Sequence, residues 1–150
     1  MLKRLKSLFD AENKNHQPSE TDVQLAAATL MFEMIRSDGK IDDVELAHMR
    51  SILQQHFNLA ESDIDELVKN AQTNAENAVS LQGFTRQICE NWDNQQRLQL
   101  IESLWILALA DQVIDAHERH LVRKVAGLLY MTDRQINIAK ETAKAKITNN

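Results

Sequence analysis

The sequence is poor in the residues that make turns and cross-links: three Gly, one Pro and one Cys in 150 residues. Closely spaced strands need Gly and Pro between them, so a β-rich fold is excluded. The abundant Ala, Leu, Gln, Glu and Lys make the class all-α. A lone Cys89 cannot form an internal disulfide, which fits a reducing compartment, and it reads as a small apolar residue in a helix core. Aromatic residues make up 5%; Trp92 and Trp105 fall on apolar stripes, where a core role comes before a ligand platform. No long apolar run exists either. The best candidate, Leu98 to Ala110, is interrupted by Gln99, Glu102 and Ser103 and falls short of the roughly 20 residues of a membrane span. Met1 to Phe9 has positive charge but no continuous apolar stretch and no small-residue cleavage site, so it is not a signal peptide. A soluble, cytoplasmic protein is expected.

At 43% hydrophobic, the chain suffices for one domain with a proper core and is too short for two ordinary ones. Its net charge is −5, which argues against nucleic acid as a partner because phosphate contacts need clustered Lys and Arg. The charge is unevenly spread. Lys3, Arg4 and Lys6 lie at one end, Lys140, Lys144 and Lys146 at the other, and residues 11–139 hold 20 acids against 11 bases, a net of −9.

Residues 1–17 form a unit of their own. Leu2, Leu5, Leu8 and Phe9 make one apolar stripe with the three basic residues off it, as in a short amphipathic helix, and the polar stretch Glu12 to Gln17 follows as a linker. Residues 1–10 could dock on the domain, on a neighbouring copy, on a protein partner, or weakly on an anionic membrane surface; docking on its own domain or on a neighbouring copy comes before the membrane because the apolar face is only about two to three turns long. Residues 18–150 are the helical domain. Pro18 to Asp22, with Ser19 as cap, opens a helix through Val23, Ala26, Ala27, Leu30 and Met34. Further stripes are Leu46, Met49, Leu53 and Phe57; Ile64, Leu67, Val68, Ala71 and Ala75; then Leu81, Phe84, Ile88 and Trp92. Asn94 is a fair cap for the run Leu98 to Leu109, which is apolar nearly all round and is expected to be the central buried helix. Leu121, Val122, Val125, Leu128 and Leu129 mark the next helix. Thr132 to Gln135 reads as a capping box opening the last, through Ile136, Ala139, Ala143 and Ile147. About seven helices are expected.

One phrase is written twice. Asp38-Gly39-Lys40-Ile41-Asp42-Asp43-Val44-Glu45 and Asp111-Gln112-Val113-Ile114-Asp115-Ala116-His117-Glu118 both read Asp-x-x-Ile-Asp-x-x-Glu, each between two helical runs. Beyond it, His56-Phe57-Asn58-Leu59 lies over Leu128-Leu129-Tyr130-Met131, one residue out of register. Two copies of a three-helix unit, packed about a pseudo-two-fold, are implied.

Three carboxylates gathered at a helix connection suit a hard divalent cation such as calcium, which takes six to eight oxygens. The phrase is similar to the back half of an EF-hand loop, but the front half is absent: Met34 and Arg36, or Leu107 and Leu109, stand where carboxylates would be needed. A true EF-hand is excluded. Each copy offers a partial set, Asp38, Asp42 and Glu45 or Asp111, Asp115 and Glu118, to be completed by a backbone carbonyl, water or the other copy. The same residues also read as capping boxes, Asp42 with Glu45 and Asp115 with Glu118, in which Asp accepts from the N3 amide and Glu reaches back to the cap amide. Helix starts are far commoner than ion sites, yet the readings coexist, because a capping carboxylate keeps an oxygen for a cation.

The two phrases, preceded by Ser37 or Ala110 and followed by Leu-containing helices, resemble the TerB-like tellurite-resistance family and its repeated signature A-D-G-x-I-D-x-x-E, found also in the N-terminal part of a membrane-anchored DnaJ-type co-chaperone. The likeness runs from about Leu25 to Ile136, and Phe84, Gln96-Arg97 and Trp105 suit its stand-alone branch. It implies an all-helical pseudo-two-fold domain that binds a divalent cation through Asp38, Asp42, Glu45, Asp111, Asp115 and Glu118, with a role in stress or tellurite response and no catalysis. Gln112 stands where the signature has Gly; a left-handed turn there costs of order 1 kcal/mol, so the second copy is expected to be the more distorted.

Other motifs are weaker. His117 and His120 are i and i+3 with no third ligand, unlike His-Glu-x-x-His, and read as exposed helix histidines. There is no phosphate loop, nucleophile elbow or Cys–His arrangement, and an enzyme is not expected. The alternative to a metal module is a metal-independent adaptor whose acidic turns only cap helices and whose first ten residues dock a partner or membrane.

Overall fold

The structure is a computed structural model and describes residues 20–36, 41–110 and 116–148. The expected amphipathic helix of the first ten residues and the Ser19 cap lie outside them. Among the described residues there are seven helices and no strand: α1 (Glu20–Ile35), α2 (Asp43–Phe57), α3 (Glu61–Asn77), α4 (Gln82–Asn91), α5 (Asn94–Ala108), α6 (Ala116–Leu128) and α7 (Asp133–Thr148).

Local chemistry sets most of the ends. Glu20 and Asp22 in α1, and Glu61 and Asp63 in α3, place negative charge on first turns, where the helix dipole favours it. The α7 capping box forms as expected: the Gln135 amide donates to Thr132 Oγ1 at 3.1 Å, and the Thr132 amide donates to Gln135 Oε1 at 2.9 Å. At α5 the cap is Asp93, not Asn94. Asp93 Oδ1 accepts from the Gln96 amide at 2.8 Å and the Asp93 amide donates to Gln96 Oε1 at 3.0 Å. Only from Asp93 does a Gln stand at N3, and this reciprocal pair moves the cap one residue back.

Asn58 and Tyr130, which close α2 and α6, are the two non-glycine residues with positive φ among those described, at 51° and 62°. Asn58 donates its amide to the Gln54 carbonyl at 2.9 Å, a single closing bond. Tyr130 sits in the two-bond Schellman arrangement, its own amide donating to the Gly127 carbonyl at 3.1 Å and that of Met131 to Ala126 at 2.9 Å.

The buried side chains form one cluster, with Trp105, Phe32 and Leu30 among the largest wholly enclosed. The helix at its centre is α1. Val23, Ala26 to Phe32, Met34 and Ile35 are all buried, and α1 packs on α2, α3, α4, α5 and α6. The expectation that α5 holds this place is corrected: α5 buries Leu100, Ile101, Ser103, Leu104, Trp105, Leu107 and Ala108, but its first turns from Asn94 to Gln99 are exposed or half-buried. The most extensive pairings are α1 with α3 and α5 with α7; α2 also reaches α5, and α6 reaches α1. Among the described residues no helix is long and apolar enough to cross a membrane.

Candidate functional site

The first acidic phrase falls in the α1–α2 connection and the second in the α5–α6 connection. Asp38, Asp111 and Asp115 lie outside the described residues, as does Gln112; Asp42, Glu45 and Glu118 lie within them. Asp42 is the N-cap of α2, with extended backbone (φ −87°, ψ 138°) and its carbonyl accepting from Leu46 at 3.0 Å. Its Oδ1 accepts from the Val44 amide at 2.9 Å, the N2 amide and not the N3 amide expected from sequence. Asp42 is exposed, while Glu45 and Glu118 are half-buried on first turns, and neither glutamate is free of polar partners. Exposed Ile41 and Val44 bracket Asp42.

Helix packing brings the flanks of the two connections together. A groove of about 380 Å³ is lined by Glu33 and Arg36 from the end of α1, Ala78 to Leu81 between α3 and α4, and His117, Leu121 and Lys124 from the start of α6. Arg36 stands two residues before the first phrase, and His117 belongs to the second. A Glu33–Arg36 ion pair of 3.3 Å lies along it. Among the described residues no three His, Cys, Asp or Glu gather as a metal would need; this holds for His117 and His120 as well as for Asp42, Glu45 and Glu118.

Two further recesses escaped the sequence reading. Gln82, Thr85, Arg86, Cys89, Glu90, Leu128 and Tyr130 line an open groove of about 490 Å³. Cys89 is half-buried, not enclosed: its thiol donates to the Leu128 carbonyl at 3.6 Å, and Arg97 approaches the sulfur at 3.9 Å while donating to the Leu129 carbonyl at 3.0 Å. The other is a crevice of about 100 Å³ that includes Glu20, His56, Trp92 and Ser103. There His56 Nε2 and Ser103 Oγ are 3.5 Å apart, and desolvation, with Lys146 adding to it against Glu102, pushes the His56 pKa below its ordinary value. The pair is no nucleophile and base, because the Ser103 hydroxyl donates to the Gln99 carbonyl at 3.0 Å.

Trp105 is wholly buried, as its stripe implied, and Lys140 Nζ lies 5.2 Å over its ring. Loss of hydration, then repulsion from Lys144, Arg119 and Arg123, lowers the Lys140 pKa. Trp92 is half-buried and packs on Phe57 at 6.1 Å between centroids. Both indole N–H groups are buried without a partner among the described residues.

A family model described as tellurite resistance protein TerB matches residues 24–141. No match is found among curated proteins. Among solved structures, the crystal structure of the protein of unknown function PG1108 from Porphyromonas gingivalis W83 is similar, with a TM-score of 0.63 and 19% identity over 85% of this chain and 97% of that one. At this identity the likeness is one of fold.

Proposed function

The chain belongs to the tellurite resistance protein TerB family, and we propose that it is a non-enzymatic helical module that binds a hard divalent cation such as calcium in a tellurite or stress response. The ligands are Asp38, Asp42 and Glu45 in the first connection and Asp111, Asp115 and Glu118 in the second. One observation carries this reading: exposed Asp42 holds its helix through Oδ1, leaving Oδ2 for a cation at the positive end of α2 that the cap itself orients. The donor set fits in kind, since all six groups are carboxylates. The described carboxylates do not complete a shell by themselves, so Asp38, Asp111 and Asp115 are required for it. When bound, the ion would supply charge that ties a connection to the helix it precedes.

Duplication belongs to the same proposal. It is supported by the parallel pairings of α1 with α3 and α5 with α7, by the exchanged contacts of α2 with α5 and α6 with α1, and by left-handed residues at matching positions, Asn58 and Tyr130. The groove flanked by Arg36 and His117 supports placing the two phrases on one side of the molecule.

A calcium titration followed by thermal melting tests the reading. At one hundred times Kd a specific ion adds about 2.7 kcal/mol, which for a chain of this size is about 5–10 °C in Tm. Asp42→Asn with Glu45→Gln keeps residues that can cap but removes the charge, so the calcium-free Tm should hold while the calcium-induced rise is lost from the first copy. An equal rise in wild type and variant would remove Asp42 and Glu45 from the site. A second reading, a metal-independent adaptor, is favoured by the cap bond of Asp42, which needs no ion. A Tm that does not move with calcium selects it.

A further inference from the structure

We propose that the N-terminal segment is a ligand of its own domain: residues 2–9 seat their leucine stripe in a groove between α1 and α3, with Lys3, Arg4 and Lys6 set against its acidic rim. The groove holds about 300 Å³ and opens beside Thr21, on the first turn of α1. Leu25, Leu59 and Leu67 give it an apolar wall; Leu25 and Leu59 are only half covered by the domain. Asp63 and Glu66, one turn apart on α3 and both exposed, line the same opening. Asp65 beside them is held by Arg50 instead.

The complementarity is in pattern as well as sign. The segment's leucines recur at helical spacing, with its three cations off that stripe. The groove sets leucines inside and carboxylates at the edge. Reach is no obstacle, because the ten residues from Asp10 to Ser19 span at most about 33–36 Å, and the groove begins where α1 does. Tethering also makes a weak contact sufficient: a short flexible link gives an effective concentration in the millimolar range. The crevice beside Glu20 is the nearest rival, but at about 100 Å³ it offers a third of the space. This inference does not depend on whether a cation binds.

Trypsin cleavage after Arg4 and Lys6, followed by mass spectrometry on the full chain at low salt, tests it. With an intrinsic affinity of about 0.1 mM the docked segment is cut about tenfold more slowly than a free one. Asp63→Lys with Glu66→Lys is expected to restore fast cleavage, as is high salt, which screens exposed charges. Leu5→Asp with Leu8→Asp leaves the domain sequence untouched and should shift the methyl resonances of Leu25, Leu59 and Leu67. Equal cleavage in all variants with unmoved methyl resonances would overturn the proposal. So would protection that rises with protein concentration, the mark of a second copy, or protection that appears only with phosphatidylserine vesicles, the mark of a membrane surface.

Discussion

Tyr130 holds a backbone conformation that glycine usually fills at the end of a helix, and its side chain is 78% exposed. A side chain there costs about 1–2 kcal/mol in principle, and little burial repays it. Tyr130→Asn is therefore expected to stabilise the protein by about 0.5–1 kcal/mol, read as a higher urea midpoint at unchanged slope. The proposed repeat sets Tyr130 over Asn58, but Tyr itself gives no sign of a left-handed turn, so the groove it flanks was not legible. Cys89 shows the same limit. It lies one position past Ile88, off the buried stripe of α4, and that step of about 100° takes it from the core to its margin.

Among the elements, caps were legible as patterns and less so as positions. Both Asp93 and Asn94 can cap, and only the side chain three residues on distinguishes them. Asp93→Ala should cost about 1 kcal/mol, within a range of roughly 0.5–2, whereas Asp93→Asn should change stability by a few tenths at most; chemical denaturation separates the two. At α2 the residue was identified from sequence and its bond was not, because N2 and N3 amides lie close together and backbone geometry chooses between them. Half of the candidate ligands lie in the two connections outside the described residues; of the other three, Asp42 caps α2, and Glu45 and Glu118 stand on first turns.

For the molecule as a whole, the class, the seven helices and their stripes followed from local periodicity, and the identity of the central helix did not. Ala26, Ala27 and Ala28 carry little hydropathy, yet their small size lets neighbouring helices close on α1 from every side. Ala27→Leu, at a wholly buried position, should cost about 1–3 kcal/mol by overpacking, visible as a lowered Tm with unaltered helical circular dichroism at low temperature. Nothing local announced that Arg36 and His117 would line one groove either, since that depends on how α1 and α6 pack. The placement of α1 also has a kinetic side. A helix packed on five others cannot open along its buried length while they stay in place, so the amide hydrogens from Ala26 to Ile35 are expected to exchange with solvent only when the entire molecule comes apart. The first acidic phrase follows this helix in sequence, so a ligand that stabilises the phrase is expected to register as slowed exchange along α1 as well.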